Sequence, residues 1–132
     1  MTDRVTDLLV RIKNASLAKH KRLRVPYFKM GENICRVLSK NGYLGEIKVG
    51  EDKKAKTKRF LEIDLLYQGK KPVFSALRLI STPSVRIYEK AKRINNLKSG
   101  LGFKLVSTPF GIMTGEEAKK KNLGGEVICE VW

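Results

Sequence analysis

The sequence predicts an α+β protein built as two small lobes, an N-terminal α-β-α-β-β lobe and a C-terminal, mainly β lobe with short helices. Three observations lead to this fold class. Apolar residues recur at helical spacing in two early segments, then alternate with polar residues at strand spacing, and short strand-like runs between Gly and Pro follow. The chain of 132 residues is long enough for two lobes that share an interface. We place their boundary at the Gly69-Lys70-Lys71-Pro72 break, which separates residues 1–71 from residues 72–132.

The first predicted element is a helix that ends near Ser16. Its apolar face is formed by four residues, Val5, Leu8, Leu9 and Ile12. Thr2 or Asp3 can serve as the N-cap, because a short oxygen-bearing side chain accepts a hydrogen bond from the first turn. The opposite face is polar and includes Arg11 and Asn14. That face is either a solvated surface or, in a chain this basic, a phosphate-binding surface.

A short strand and a second helix follow. Residues 23–25 form the strand, which Pro26 is expected to end because proline has no backbone N–H to donate. The second helix has an apolar face of four residues, Met30, Ile34, Val37 and Leu38. Gly42 comes just after this helix, and we expect it to adopt the left-handed conformation that closes many helices.

A β-hairpin completes the first lobe. Ile47 and Val49 alternate with polar residues on its first strand. The second strand has the same alternation, at Leu61, Ile63 and Leu65. Residues 50–56 between them are mostly charged and are predicted to form the turn.

The second lobe is predicted to consist mostly of strands. They are expected at residues 73–80, 85–88, 103–107 and from Glu126 to the C-terminal Trp132. Residues 92–97 fit a short helical stretch. Thr114 and Glu117 have the spacing of a capping box, so a brief helix should span residues 115–121.

The chain is strongly basic. It has 28 Lys and Arg against 13 Asp and Glu, a formal net charge of +15. So much like charge favours a polyanionic partner, and nucleic acid is the first candidate. An anionic membrane is the alternative, but no run approaches the ~18 apolar residues of a membrane span. The first residues lack the layout of a signal peptide, so we expect the protein to stay in the compartment where it is made.

The sequence offers little for catalysis. Cys35 and Cys129 have no second Cys or His at metal-ligand spacing and are expected to be reduced, buried and inert. His20, the only histidine, lies in a basic run with no acidic partner near it in sequence. Gly100-Leu101-Gly102 and Gly69-Lys70-Lys71 lack the spacing of nucleotide-binding loops and are predicted to be turns. We therefore expect no enzyme activity, no metal site, no cofactor and no small-molecule substrate.

One loop combines features that suit RNA. Ser107-Thr108-Pro109-Phe110-Gly111 places two hydroxyls, a fixed φ, an aromatic ring and a glycine between two strands. It is either an ordinary loop or an RNA contact. Short hydroxyls reach phosphate, ribose 2′-OH or base edges, and glycine lets the RNA backbone come close.

Several segments spread along the chain match one known family. They are Arg11-Ile12-Lys13-Asn14-Ala15, the Gly100-Leu101-Gly102 turn with Ser107-Thr108 and Gly111, Glu117-Ala118, and Asn122-Leu123-Gly124-Gly125-Glu126-Val127-Ile128-Cys129-Glu130-Val131-Trp132. The chain thereby resembles the family of the eighth protein of the small ribosomal subunit, most closely from Gly100 onward.

The resemblance implies a cytoplasmic protein of the small subunit that binds the central domain of its ribosomal RNA early and helps to assemble the platform. It also implies two neighbours, the ribosomal proteins numbered five and twelve. The second-lobe residues that match the family's RNA site are Tyr88, Ser107, Thr108, Gly111, Gly124, Gly125 and Glu126. Arg11 and Asn14 are the first-lobe contribution. The family also permits a second function, repression of translation by binding the protein's own messenger RNA.

Two positions depart from the family pattern. The family's loop usually has Ser-Thr-Ser-Lys-Gly, whereas this chain has Pro109 and Phe110 at the third and fourth positions. Pro109 removes a hydroxyl and an N–H donor, and Phe110 replaces a cation with a ring that can stack on a base or pack on a neighbouring protein. Glu126 would repel phosphates, so its expected partners are base donors, ribose hydroxyls or the Ser107 and Tyr88 side chains. The alternative is that Glu126 is solvated at the start of a strand.

Overall fold

The computed structural model describes residues 4–54, 58–82, 84–94 and 102–132. Its α-helices are α1 (Arg4–Leu17), α2 (Lys29–Lys40) and α3 (Gly115–Lys120). Its strands are β1 (Arg22–Pro26), β2 (Leu44–Glu51), β3 (Arg59–Leu65), β4 (Tyr67–Gln68), β5 (Lys71–Pro72), β6 (Leu77–Leu79), β7 (Tyr88–Glu89), β8 (Phe103–Thr108), β9 (Gly111–Thr114) and β10 (Gly125–Val131). The order of these elements confirms the α+β class and the α-β-α-β-β start of the chain.

The first sheet carries the helices of the first lobe on one side. β3 lies between β1 and β2 and pairs antiparallel with both. The predicted alternation on β3 is confirmed, since Leu61, Ile63 and Leu65 are all buried in the same cluster as the apolar faces of α1 and α2. The alternation on β2 holds only in part, since Ile47 is buried whereas Val49, nearer the end of the strand, is 38% exposed. Pro26 belongs to β1 as its last residue, which is tolerated because β1 is also an edge strand.

The helix ends follow local backbone rules. Gly42 has φ +83° and the Tyr43 N–H donates to the Leu38 carbonyl at 2.9 Å, which confirms the predicted end of α2. α1 closes in the same way through Lys19, at φ 61°, an uncommon conformation for a residue with a Cβ. The Thr114 hydroxyl accepts from the Glu117 N–H at 3.2 Å, so α3 has the predicted N-cap. The candidate caps Thr2 and Asp3 lie outside the described residues.

The second sheet positions the loop singled out in the sequence. Its strand order is β6-β10-β8-β9, with β7 also pairing β10, and all pairings are antiparallel. Leu105 and Cys129 on one face join the main core. Val106 and Met113 on the other face form a smaller cluster with α3. A β-bulge interrupts the β10–β8 register between Val127 and Cys129.

Two strands are much shorter than the sequence suggests. Of residues 73–80 only Leu77–Leu79 form a strand, and residues 85–88 contribute only Tyr88 to β7. The buried Ser81 hydroxyl explains part of the difference, because it donates to the Val127 carbonyl at 2.7 Å and accepts from the Ile87 N–H at 3.0 Å. These side-chain bonds replace a regular strand ladder.

The helical stretch suggested for residues 92–97 is also different. The structure has a single 3₁₀ turn, Ala91–Arg93, and residues 95–97 lie outside the part that is described. The same holds for residues 55–57 of the predicted hairpin turn and for Gly100 and Leu101. The sequence set no bounds for β9, which follows directly after Phe110.

The main core crosses the predicted boundary between the lobes. Phe74, only 1% exposed, joins a cluster that contains residues of α1, α2 and the first sheet as well as Leu105 and Val131 of the second sheet. Full burial of a large apolar side chain contributes about 1.5–3 kcal/mol, so this shared cluster fixes the second sheet against the helices. The division at residue 71 stays a prediction. The short β4–β5 hairpin, with Gly69 at φ +62°, lies at that position.

Candidate RNA interface

Three of the predicted site residues form a row across adjacent strands. Glu126 on β10 is directly opposite Tyr88 on β7 and directly opposite Ser107 on β8. Residues paired in this way project from the same face of an antiparallel sheet, with Cβ atoms about 4.5–5.5 Å apart. Ile112 on β9 pairs with Ser107 and extends the row by one strand. We call Tyr88, Glu126, Ser107 and Ile112 the strand row.

The row offers three different chemical groups within a short distance. The Tyr88 side chain is well exposed, and the residue is 70% accessible. Ser107 supplies a hydroxyl and is half-buried. The Glu126 side chain is only 17% exposed and its carboxylate lies 3.8 Å from the Arg86 guanidinium. Glu126 is therefore mostly shielded from solvent beside a cation, and Arg86 offsets part of the charge that would repel phosphate.

The loop after β8 is shaped by Thr108. Its hydroxyl donates to the Gly111 carbonyl at 2.8 Å and accepts from the Phe110 N–H at 3.2 Å. Thr108 itself is only 8% exposed, so its hydroxyl stabilises the turn and is largely inaccessible to a ligand. Gly111 has φ +120°, a conformation that residues with a Cβ rarely adopt. The turn presents Phe110 outward, 79% exposed.

Only glycine fits at positions 124 and 125, because the backbones of neighbouring strands come close there. A Cβ at Gly125 would overlap the Ser107 carbonyl oxygen, and a Cβ at Gly124 would lie 2.8 Å from the Glu89 carbonyl oxygen. Both glycines therefore let β10 approach its neighbours at the point where Glu126 enters the row. Their effect on the site is to position Glu126.

Arg11 and Asn14 are exposed on α1 and are not part of the strand row. Arg11 Nε lies 3.1 Å from an Asp7 carboxylate oxygen, one helical turn earlier. The side chains are available at the surface of the first lobe, as the sequence predicts. They provide donors on a helix, whereas the row provides its groups on a sheet.

Sequence reasoning missed two contributions. Arg86 faces Glu126, and the signal for it was the two-residue spacing from Tyr88. Exposed basic residues also lie on and near α3, which packs against both β8 and the Ala91–Arg93 turn. They are Lys90, Lys92, Arg93, Lys119, Lys120 and Lys121. Such a cluster attracts a polyanion from a distance without selecting a sequence.

The remaining chemistry of the described residues gives no reactive centre. Cys35 and Cys129 are buried free thiols, as predicted, and burial raises the pKa of each to about 12. A protonated buried thiol is a poor nucleophile. No group of three or more His, Cys, Asp or Glu side chains within the described ranges is arranged to hold a metal ion. None of the described helices is long and apolar enough to span a membrane.

Comparison with known proteins gives a consistent result over the full chain. The family model described as Ribosomal protein S8 matches residues 3–132. The small ribosomal subunit protein uS8 of Nostoc punctiforme is 42% identical over 132 residues, covering 98% of this chain and 97% of that protein. Its counterpart in Desulfovibrio desulfuricans is 39% identical over 132 residues, with 100% and 99% covered. That of Caldanaerobacter subterraneus is 42% identical over 133 residues, with 100% and 98% covered.

These matches agree with the resemblance found in the sequence motifs and with its prediction that the protein is not an enzyme. They also agree with the expected place in the cytoplasm, within the small subunit. The chain belongs to the ribosomal protein S8 family, a family of structural proteins of the small ribosomal subunit.

Proposed function

We propose that the chain binds small-subunit ribosomal RNA directly, in its central domain, and helps to assemble the platform of the subunit. The observation that carries this proposal is the strand row, in which a tyrosine ring, a carboxylate and a hydroxyl lie side by side on an otherwise basic protein. A surface that bound RNA by charge alone would need no acidic residue at its centre. The carboxylate indicates recognition of particular donors.

Each group in the row has a distinct role in this proposal. The exposed Tyr88 ring stacks on a base or ribose, since RNA-binding proteins use aromatic side chains in this way. The Ser107 hydroxyl both donates and accepts, so it suits a ribose 2′-OH. Glu126 accepts from base amino or imino groups, and the Arg86 guanidinium, 3.8 Å away, keeps the carboxylate ionised beside the RNA. The rigid turn held by Thr108 places Phe110 beside a neighbouring nucleotide, while Gly111 leaves room for the RNA backbone.

Arg11 and Asn14 make a second, smaller contact in this proposal. They lie on α1 in the first lobe, so one protein would touch two places on the folded RNA. A protein that binds two RNA segments stabilises their relative arrangement, which is the physical basis of a role in assembly. The ribosomal proteins numbered five and twelve are the proposed protein neighbours.

A footprint of the purified chain on naked small-subunit RNA tests the site. We expect protection confined to the central domain, with Ser107→Ala and Tyr88→Ala weakening the protection there. Ser84→Ala and Tyr43→Phe serve as controls, because Ser84 lies outside the row and Tyr43 packs against Phe103 in the core. Protection elsewhere, or loss of protection by the controls alone, would contradict the proposal.

The same surface is proposed to act on messenger RNA when the chain is in excess over ribosomal RNA. A messenger segment that presents the same donors in the same geometry would satisfy the strand row equally well. The test is to measure the affinity of the same protein preparation for the messenger leader and for the ribosomal helix. Substitutions in the strand row should lower the affinity for both RNAs by similar factors. If the messenger bound another surface, they would lower the affinity for the ribosomal helix alone.

A further inference from the structure

A groove in the first lobe lies apart from the strand row. It runs between α1 and the connection from β1 to α2, and it encloses about 310 Å³. Arg4, Asp7 and Arg11 form its α1 wall, residues 25–28 form the other wall, and the buried Leu8 contributes to its floor. Its volume falls in the range of about 300–1,000 Å³ that is usual for small-ligand sites. We call it the α1 groove.

Phe28 provides a flat surface in this groove. It occupies the N-cap position of α2 without making a side-chain cap, and its partly buried ring packs against the edge of the main core. One side of the ring lies against Gly31, where an added Cβ would be 2.6 Å from a ring carbon. On the Arg4 side, the guanidinium carbon is 5.9 Å from the ring centre.

The spacing between Arg4 and Phe28 is unusually wide for this protein. Two comparable pairs, Arg24 over Phe60 and Arg59 over Tyr27, are each 4.1 Å apart. A flat group between a ring and a guanidinium needs about 7 Å, twice the ~3.5 Å contact distance of carbon atoms. Arg4 would therefore have to move by only about 1 Å to cover a base stacked on Phe28.

Asp7 gives the groove a hydrogen-bonding edge. Its carboxylate is 55% exposed and has two oxygens, one of which lies 3.1 Å from Arg11 Nε. Among the four RNA bases only guanine presents two neighbouring donors, N1–H and the N2 amino group, on its Watson–Crick edge. A carboxylate accepts from such a pair, and the guanidinium N–H groups of Arg11 suit the neighbouring O6.

We propose that the α1 groove binds one unpaired guanine of RNA, stacked between Phe28 and Arg4 and read by Asp7 and Arg11. The inference rests on the proposed RNA-binding function and adds a base-specific subsite to the first lobe. Charge favours RNA over a protein segment as the occupant. Two arginines line the groove, Lys29 is exposed beside Phe28, and the whole chain has a net charge of +15.

Short single-stranded RNA tests for a guanine preference, and variants in the α1 groove assign that preference to the groove rather than to the strand row. The probes are the hexanucleotides UUUGUU, UUUUUU and UUUIUU, where inosine lacks the N2 amino group of guanine. We expect the full chain to bind UUUGUU about fivefold to tenfold more tightly than UUUUUU, with UUUIUU in between. This difference corresponds to about 1–1.4 kcal/mol, because uracil also stacks and guanine adds mainly its hydrogen bonds. Backbone amide shifts should change at Val25, Tyr27 and Phe28.

Variants separate stacking from edge recognition. Phe28→Ser removes the ring and its packing on the core but installs a favoured N-cap residue that offsets part of this loss, so α2 should remain folded while the preference for guanine disappears. Asp7→Ala should abolish the difference between guanine and inosine but keep some stacking. Phe60→Ala is the matched control, because the Phe60 ring also lies on a glycine and under an arginine but is not in the groove. Its guanine preference should equal that of the unaltered chain.

The outcomes distinguish this inference from the proposed function. Equal binding of all three hexanucleotides, or no loss on Phe28→Ser, would overturn the guanine site, and the groove would then be left for a segment of a neighbouring protein. The same preparations are assayed on a central-domain helix of ribosomal RNA. Specific binding of that helix without any guanine preference would remove only the subsite, whereas guanine preference without specific helix binding would remove only the proposed function.

Discussion

Replacing Thr108 by alanine tests how the loop beside the strand row is built. The substitution removes one hydroxyl and the two hydrogen bonds that it makes, to the Gly111 carbonyl and from the Phe110 N–H. A typical intramolecular hydrogen bond contributes about 0.5–1.5 kcal/mol, so the free energy of unfolding should fall by about 1–3 kcal/mol. The lost methyl group adds about 0.8 kcal/mol, because Thr108 is nearly buried.

Thr108→Ser isolates the hydroxyl, because it removes the methyl group and keeps both hydrogen-bonding functions. Urea unfolding of the two variants and the unaltered chain gives the comparison. The serine variant should lose about 0.8 kcal/mol and the alanine variant clearly more. In thermal unfolding each 1 kcal/mol should lower the midpoint by about 3–5 °C for a chain of this size.

RNA affinity should follow the same order, since a loosened turn no longer fixes Phe110 and the end of β8. Specific binding by the alanine variant should weaken by about 1–3 kcal/mol, and the serine variant should bind almost normally. If the alanine and serine variants unfolded at the same urea concentration, the hydroxyl would not hold the turn. If the alanine variant lost RNA affinity while keeping its stability, Thr108 would contact RNA directly.

Four further results are expected. Glu126→Gln and Glu126→Ala should both weaken specific RNA binding, with alanine worse, while binding to unrelated RNA stays level or strengthens; tighter specific binding by either would make Glu126 a repulsive bystander. The logarithm of RNA affinity should fall with the logarithm of salt concentration at a slope of roughly 0.7 to 0.9 per phosphate contacted, and a flat response would contradict the electrostatic account. Phe110→Lys should steepen that slope by about one contact, whereas Phe110→Trp should leave it unchanged. Hydrogen bonding to Arg36 lowers the pKa of Glu32, so its stabilisation is complete above the ordinary carboxyl pKa and disappears as pH falls through the lowered value; Glu32→Gln should flatten acid unfolding in that range.

The spacing of apolar residues correctly predicted the helices and strands that bury only one face. α1, α2 and β3 each place apolar residues on a single face, and in each case that face is buried. The start of α3 was also predictable, because Thr114 bonds to the backbone within its own helix turn. Local rules of this kind need no knowledge of distant residues.

Interactions between distant residues explain most of the differences. Ser81 bonds to Val127, which is 46 residues later, and this contact interrupts the strand expected before it. The end of α1 uses Lys19 at φ 61° where glycine is usual, and the His20 N–H donates to the Ala15 carbonyl at 3.1 Å across this turn. The two-residue spacing places Arg86 on the same side as Tyr88, but its contact with Glu126 depends on the pairing of β7 with β10.

The β-bulge at Ile128 shows why the strand row could not be derived from alternation alone. With strict alternation along β10, Glu126 and Cys129 would project from opposite faces, because they are three residues apart. In the structure Cys129 pairs with Leu105 and Glu126 pairs with Ser107, and Leu105 and Ser107 are two residues apart on the same face of β8. The extra residue at the bulge therefore places Glu126 on the face that carries Leu105 and Cys129 into the main core. One face of a single sheet thus fixes the protein to its helices through buried residues and, beyond the bulge, presents Glu126 beside Tyr88 and Ser107. Because the same strands do both, burial of Leu105 and Cys129 also fixes the backbone that carries Ser107 and Glu126, which favours the defined geometry that recognition by a carboxylate requires.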